Sequence, residues 1–142
     1  MSMSFKYKQD RRGEKIIRTP SIPITLNGES EHVDTVVLID SGADISVISM
    51  SMADLLGLKL ENEEEVTGIG GKIKASHSNV SLKIEKGHES YSLRLPIKVL
   101  PKEIEIPVLL GRLVFFDSFD ISFEQTKNKI SLKKTTSFLV NR

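Results

Sequence analysis

The sequence of 142 residues contains no cysteine and no tryptophan. Without cysteine the chain can form neither a disulfide framework nor a thiolate metal site, and this composition fits a reducing compartment. The three histidines, His32, His77 and His88, lie far apart and lack the paired spacing of zinc-binding motifs. We therefore expect no metal, no other cofactor and a cytoplasmic location.

An excess of charge of either sign is also missing. The chain has 20 basic and 19 acidic residues, a net charge of +1, and its lysines and arginines are spread along the sequence. This distribution argues against electrostatic binding to nucleic acid or to an anionic membrane. No apolar run reaches the length of a signal peptide or a membrane span. We expect a soluble protein that binds neither nucleic acid nor membranes.

Short apolar runs separated by turn residues make up most of the chain, a pattern typical of an all-β domain. The length and the hydrophobic content of 39% fit one globular domain. We predict that this domain spans residues 21–134, after a basic N-terminal strand or tail at residues 1–20 and before a C-terminal tail at residues 135–142. Asp10-Arg11-Arg12-Gly13 predicts either a hairpin turn or a loose tail.

Capping and turn residues predict a few local elements. Ser49 and Gly57 flank a run of helix formers and predict one or two helical turns, and residues 113–119 predict another. The acidic run Glu61-Asn62-Glu63-Glu64-Glu65 predicts a solvated loop, and Asn27-Gly28 a tight turn of positive φ. Strands are predicted at residues 22–26, 36–39, 72–75, 80–85, 91–99, 119–124 and 130–133.

One carboxylate is distinguished by its surroundings. Four apolar residues, 36–39, lead into Asp40-Ser41-Gly42-Ala43-Asp44, and residues 45–48 lead away with the alternation of a half-buried strand. The pattern places Asp40 at the end of an apolar strand, in a turn that small residues close. An ordinary β-turn gives the same triplet, so further segments must decide its meaning.

Two such segments follow in order, Gly68-Ile69-Gly70-Gly71 and Val108-Leu109-Leu110-Gly111-Arg112. Alone, the glycine cluster predicts only a hairpin turn. Together with the Asp40 segment, they give residues 22–132 a pattern that resembles the retropepsin-like aspartic proteases, especially the prokaryotic and cellular single-domain members. The resemblance implies an all-β, single-lobe acid-protease β-barrel with one or two short helices, active as a homodimer on a peptide or protein substrate.

The resemblance also implies roles for the residues around the first segment. Asp40 stands at the position of the catalytic carboxylate, and Ser41, Gly42 and Arg112 stand at positions that brace the active site. Gly42 and Asp44 stand at positions that contact the main chain of the substrate. Arg112 would pair with Asp44, because a planar guanidinium matches a carboxylate.

In the same family the glycine-rich segment forms a flap that closes over the substrate. Gly68, Ile69 and Gly70 stand at the flap tip and would contact the bound peptide. The chain departs from the retroviral pattern at Leu113, where those enzymes usually carry Asp or Asn. Its termini also extend further, so the dimer interface is expected to differ from the interleaved termini of the retroviral enzymes.

Chemistry explains why a partner is needed. Peptide hydrolysis without a metal needs one group to take a proton from water and another to give one to the carbonyl oxygen, and two carboxylates about 3 Å apart do both. The chain has a single Asp-Ser-Gly triplet, at Asp40, so the second carboxylate must come from another copy. Two alternatives are a catalytically silent peptide-binding or dimerisation module of the same fold, and an enzyme that processes only itself near Arg11-Arg12.

Overall fold

The computed structural model describes residues 2–68 and 71–135. Strands account for 62% of the structure and helices for 11%, which confirms the all-β class and the few short helices. The strands are β1 (Ser2–Lys6), β2 (Lys8–Arg12), β3 (Lys15–Thr19), β4 (Ser21–Asn27), β5 (His32–Ile39), β6 (Ser46–Ile48), β7 (Glu61–Gly68), β8 (Gly71–Lys86), β9 (Glu89–Val99), β10 (Leu109–Leu110), β11 (Phe119–Glu124) and β12 (Lys129–Lys134). The α-helices are α1 (Met50–Leu56) and α2 (Phe115–Ser118), and Gln125–Lys127 form a 3₁₀ turn.

Six strands close into a barrel in the order β4-β5-β10-β6-β9-β8, because β4 also pairs with β8. β10 lies between β5 and β6, parallel to β5 and antiparallel to β6. The pairing of Leu110 with Ile39 places the end of β10 beside the end of β5, where Asp40 follows. The structure therefore confirms the predicted single-lobe barrel.

The core is filled by the inward-facing residues of the barrel strands and by the aromatic residues around α2. The rings of Phe115 and Phe119 are 5.5 Å apart, and Tyr91 meets Phe119 edge-on at the same distance. Such aromatic pairs add to the free energy gained by burying their area. They fix α2, and with it the start of β11, against the barrel.

A second sheet has the strand order β1-β12-β11. Met3 pairs with Leu132 and Phe5 with Ile130, and all four side chains are buried. The N-terminal strand therefore pairs within its own chain and contributes to the core. This pairing differs from termini that interleave with those of a partner.

Of the two alternatives for the N-terminal segment, a hairpin or a loose tail, the structure shows the hairpin. β2 and β3 pair antiparallel from Lys8 with Thr19 to Arg12 with Lys15, as a separate two-stranded sheet. Gly13 closes the turn at a φ of 64°, in the region that favours glycine. Most side chains of this hairpin are exposed, including Ile16 at 43%.

The acidic run predicted to be a solvated loop is a strand, so that prediction was wrong. Residues Glu61–Gly68 form β7, and the Glu65 and Glu63 carboxylates pair with the Lys72 and Lys74 ammonium groups of β8 at 3.4 and 3.8 Å. The run is solvated, as expected, but cross-strand ion pairs allow a row of glutamates to occupy an edge strand. The lysines that pair with these glutamates lie in β8, outside the acidic run itself.

Two glycines shape the α1 region. The Ser49 hydroxyl accepts a hydrogen bond from the Met52 N–H at 3.3 Å and Gly57 ends the helix in the left-handed conformation, as predicted. Gly28 has another purpose than the positive φ expected of it. A Cβ at Gly28 would lie 2.0 Å from the Leu56 carbonyl oxygen, so the absence of a side chain lets the helix end pack against the β4–β5 turn.

Candidate active site

The Asp40 loop begins where β5 leaves the barrel. The Asp40 N–H donates to the Leu110 carbonyl at 2.9 Å, which ties the loop to β10. The Asp40 Oδ1 atom accepts a hydrogen bond from the Gly42 N–H at 2.9 Å, and the Asp40 carbonyl accepts one from Ala43 at 3.2 Å. The Gly42 N–H, two residues ahead, thus orients the carboxylate, while the Ala43 N–H closes the turn through the Asp40 backbone.

Ser41 and Gly42 form the exposed tip of this loop. A Cβ at Gly42 would lie 3.3 Å from the Asp40 Oδ1 atom, closer than most real contacts of that kind. A side chain at position 42 would therefore press on the carboxylate that the Gly42 N–H orients. Both residues remain open to a molecule approaching from outside the chain.

The segment after β10 holds the other side of the loop. The Arg112 N–H donates to the Ala43 carbonyl and the Leu113 N–H donates to the Asp44 carbonyl, both at 2.9 Å. The Arg112 guanidinium also forms an ion pair and hydrogen bond with the Asp44 carboxylate. The predicted pairing of these two side chains is therefore present.

Close packing accompanies these bonds at Gly111. A Cβ there would lie 2.6 Å from the Ile45 carbonyl group and 2.9 Å from the Ala43 carbonyl oxygen. The buried Ser46 hydroxyl accepts a hydrogen bond from the Gly111 N–H at 3.0 Å. The sequence interpretation missed Ser46, although a polar residue in the buried phase of strand 45–48 was the available signal.

A strained turn follows Arg112. Val114 has a φ of 70° and a ψ of −52°, and the Phe115 N–H donates to the Leu113 carbonyl at 2.9 Å, which makes a γ-turn. This conformation is a genuine outlier for a β-branched residue. The Val114 N–H is bound by the Asp117 carboxylate at 3.2 Å, so α2 begins with its first turn already tethered. No sequence pattern predicts this strain.

The glycine-rich segment lies at the far end of the β7–β8 hairpin. Val66 pairs with Ile73, and Gly68 pairs with Gly71, which has a φ of 109°. Ile69 and Gly70 lie outside the described residues. The hairpin predicted from the glycines is therefore present.

Glu64 of β7 and Tyr91 of β9 have shifted pKa values. A hydrogen bond with His77, and the nearby charge of Lys98, hold the pKa of Glu64 below its ordinary value of 4.5. A hydrogen bond to Glu89 and partial burial raise the pKa of Tyr91 above 10.0. Residues 2–68 and 71–135 contain no group of three or more acidic, His or Cys side chains that could hold a metal ion. They also contain no helix long and apolar enough to cross a bilayer.

The structure thus joins Asp40, Gly42, Asp44 and Arg112 in two loops that are bonded to each other, with Ser41 exposed in the same turn. Gly68 lies in a separate hairpin. A model of the aspartyl protease family matches residues 22–114, a range that contains both loops and the hairpin. The chain belongs to the aspartyl protease family.

Solved structures of a retropepsin-like aspartic protease and of a retroviral protease-like domain share its fold. A retropepsin-like aspartic protease from Rickettsia conorii superposes with a TM-score of 0.62 at 18% identity, covering 92% of this chain and 98% of that one. The retroviral protease-like domain of Ddi1 from Leishmania major gives 0.52 at 11% identity, covering 83% and 94%. The EIAV protease in complex with the inhibitor HBY-793 gives 0.48 at 22% identity, covering 76% and 92%. No curated protein matches the sequence.

Proposed function

We propose that the protein is an aspartic endopeptidase that acts as a homodimer. Asp40 and its symmetry mate share one proton and activate a water molecule for attack on a peptide carbonyl. The observation that carries the proposal is the pair of hydrogen bonds at Asp40 within an aspartyl protease fold: the Gly42 N–H binds the carboxylate, and the Asp40 N–H ties the backbone to the Leu110 carbonyl. A carboxylate held in this way is pre-organised for proton transfer.

A homodimer follows from the number of carboxylates. The chain has one Asp-Ser-Gly triplet, and a two-fold axis beside Asp40 brings the same residue of a second copy to it. The repulsion of two like charges at short range keeps one of the two carboxyls protonated. One then acts as base and the other as acid in the same step.

The surrounding residues bind and position the substrate in this proposal. Ser41 at the exposed loop tip braces the two loops across the axis, and Arg112 holds Asp44 and the loop behind it. The Gly42 carbonyl and Asp44 accept hydrogen bonds from the main chain of an extended peptide. Gly68, Ile69 and Gly70 form the flap tip that covers the peptide, as closure of such a hairpin excludes water.

Substitution of the catalytic carboxylate tests the proposal. We expect Asp40→Asn to lower cleavage of a peptide library by about 10²- to 10⁴-fold between acid and neutral pH, the usual contribution of a general acid or base. Asp54→Asn, which changes an exposed carboxylate of α1, is the matched control and is expected to cleave like the wild type.

The possible results separate the two readings of the fold. Equal cleavage by the wild type and Asp40→Asn contradicts the proposal. Cleavage by neither protein, together with peptide binding by both, identifies a silent binding module instead.

A further inference from the structure

The β1-β12-β11 sheet has two edge strands, β1 and β11, and only the edge of β11 suits a protein–protein interface. Resting on the homodimer proposed above, we infer that a second copy of the chain adds to β11, antiparallel and about a two-fold axis at Ile121. The two three-stranded sheets then form one continuous sheet of six strands. The partner that fits this edge is the same edge of another copy.

The outer edge of β1 is already occupied. The Tyr7 N–H donates to the Asn128 carbonyl. Because the hydrogen-bonding direction of backbone groups alternates along a strand, the N–H and C=O groups of Met3 and Phe5 also face β12, and those of Ser4 face outward. The Ser4 carbonyl accepts a hydrogen bond from the Lys86 ammonium of β8. The same ammonium lies 4.7 Å from the centre of the Phe5 ring. A lysine that covers the outer backbone of an edge strand in this way opposes the addition of another strand.

No described residue pairs with the outer edge of β11. The same alternation makes Ser131 and Lys133 face β11, where they pair with Ser122 and Asp120, so the backbone groups of Ile121 and Phe123 face outward. Within residues 2–68 and 71–135, no backbone hydrogen bond joins Ile121 or Phe123 to another strand. Unpaired N–H and C=O groups in a row are a template for a further strand.

The side chains of β11 suit a copy of themselves. Phe123 is 41% exposed and lies on the same face as the half-buried Ile121 and the buried Phe119. A two-fold axis at Ile121 places Phe123 opposite the partner's Phe119 and Ile121 opposite the partner's Ile121. The contact covers an exposed aromatic ring with apolar surface and extends the apolar layer of each sheet across the axis.

The charges of β11 select the register. On the outer face of the strand, an axis at Ile121 sets Asp120 opposite the partner's Ser122. An axis at Ser122 would instead set Asp120 opposite the partner's Glu124, and like charges directly opposite each other destabilise a sheet. Of these two registers, only the one with its axis at Ile121 brings apolar residues together and keeps the acidic residues apart.

This edge is also connected to the Asp40 loop. β11 follows α2 without a break, and α2 follows Arg112, which binds Asp44 and the Ala43 carbonyl. A short segment of chain therefore connects the proposed axis at β11 to the Asp40 loop of each copy. The partner's Asp40 completes the site that one copy leaves with a single carboxylate.

Substitutions of Ser122 with opposite charges test the register. Within one copy Ser122 faces Ser131 in β12, between Lys129 and Lys133, so a glutamate there fits the monomer and a lysine does not. Across the proposed axis the order is reversed, because position 122 faces the partner's Asp120. Each pair contributes roughly 0.2–1 kcal/mol and occurs twice, so we expect Ser122→Glu to raise and Ser122→Lys to lower the dimer Kd by about 2- to 30-fold.

Sedimentation equilibrium of the full chain measures these constants, and thermal unfolding of the dilute monomer checks that both variants fold. If the two substitutions leave the dimer Kd unchanged or shift it in the same direction, the proposed register is wrong. If a dimer forms only after residues 136–142 are removed, a second copy is not the natural partner of β11. That result would mean that the chain's own C-terminal segment covers this edge.

Cross-linking locates the axis, since the native chain has no cysteine. Ile121→Cys is expected to form a disulfide-linked dimer on oxidation, whereas Ser4→Cys on the blocked β1 edge is expected to remain monomeric on a non-reducing gel. A dimer linked through Ser4→Cys and not through Ile121→Cys contradicts the inference. Neither the Kd nor the cross-link depends on peptide cleavage. If Ile121→Cys forms the linked dimer but Asp40→Asn does not change peptide cleavage, the catalytic proposal is wrong and the proposed interface is still supported.

Discussion

Arg112 and Asp44 form an ion pair that joins the loop after β10 to the loop after β5. Both side chains are exposed, at 55% and 84%, so water screens the pair and its expected contribution to stability is about 0–1 kcal/mol. The backbone bonds from Arg112 to Ala43 and from Leu113 to Asp44 hold the two loops together independently. The pair therefore has more influence on the direction of the Asp44 carboxylate than on the stability of the fold.

We expect Arg112→Gln to lower the free energy of unfolding by less than about 1 kcal/mol and to lower kcat/KM far more, by about 10²-fold. The large second effect follows because a small misplacement of a substrate-binding group is costly to the reaction. Urea denaturation and peptide cleavage measure the two quantities. Arg94→Gln, which changes an exposed arginine of β9 that contacts Ser81 at 3.5 Å, is the control and should leave both nearly unchanged.

Gly111→Ala is expected to destabilise the fold by about 1–3 kcal/mol, the usual range for an overpacked site. The new Cβ would lie 2.6 Å from the Ile45 backbone, which cannot rotate away as a flexible side chain would. Gly87→Ala is the matched control because that glycine has a φ of 62° and no atom within 4 Å. The control is destabilised only by placing alanine in a left-handed conformation, which lowers the free energy of unfolding by about 1–2 kcal/mol.

Because these two ranges of stability overlap, the decisive measurement for Gly111→Ala is structural. We expect amide chemical-shift changes at Ala43 and Ile45 in the Gly111 variant, and changes confined to the β8–β9 turn in the Gly87 variant. Unchanged Ala43 and Ile45 amides in Gly111→Ala would show that the loops are not packed as closely as the structure indicates.

The parts of the site that sequence patterns predict are those with local causes. Asp40 is identifiable because apolar residues and small turn residues adjoin it in sequence, and Ser49 and Gly57 delimit α1 for the same reason. The pairing of β1 with β12 joins residues more than 100 positions apart, and hydrophobic periodicity gives no information on such contacts. Gly28 likewise has its function set by Leu56, a contact that only the folded chain creates.

Ser46→Ala is expected to lower the free energy of unfolding by about 1–3 kcal/mol. The substitution removes the hydroxyl that accepts the Gly111 N–H and leaves that buried donor without a partner. Ser46→Thr keeps the hydroxyl and serves as the comparison, with a smaller loss if its methyl group is accommodated. Protection of the Gly111 amide against hydrogen exchange should fall in the alanine variant. An unchanged exchange rate would show that the hydrogen bond to Ser46 does not protect this amide.

His77→Ala is expected to raise the pKa of Glu64 toward its ordinary value of 4.5, because the hydrogen bond with His77 is the largest cause of the lowered pKa. A carboxyl whose pKa is lower in the folded state stabilises the fold above the unfolded pKa, and this contribution is lost as the pH falls through the folded pKa. The hydrogen-bond distance from Glu64 to His77 is 2.9 Å, whereas the Lys98 ammonium lies 3.6 Å away. Lys98→Ala should therefore shift the pKa of Glu64 less than His77→Ala does, in a titration followed by the carboxyl ¹³C resonance between pH 2 and 7. A larger shift in Lys98→Ala would show that charge, rather than the hydrogen bond, controls this carboxylate of the β7–β8 hairpin.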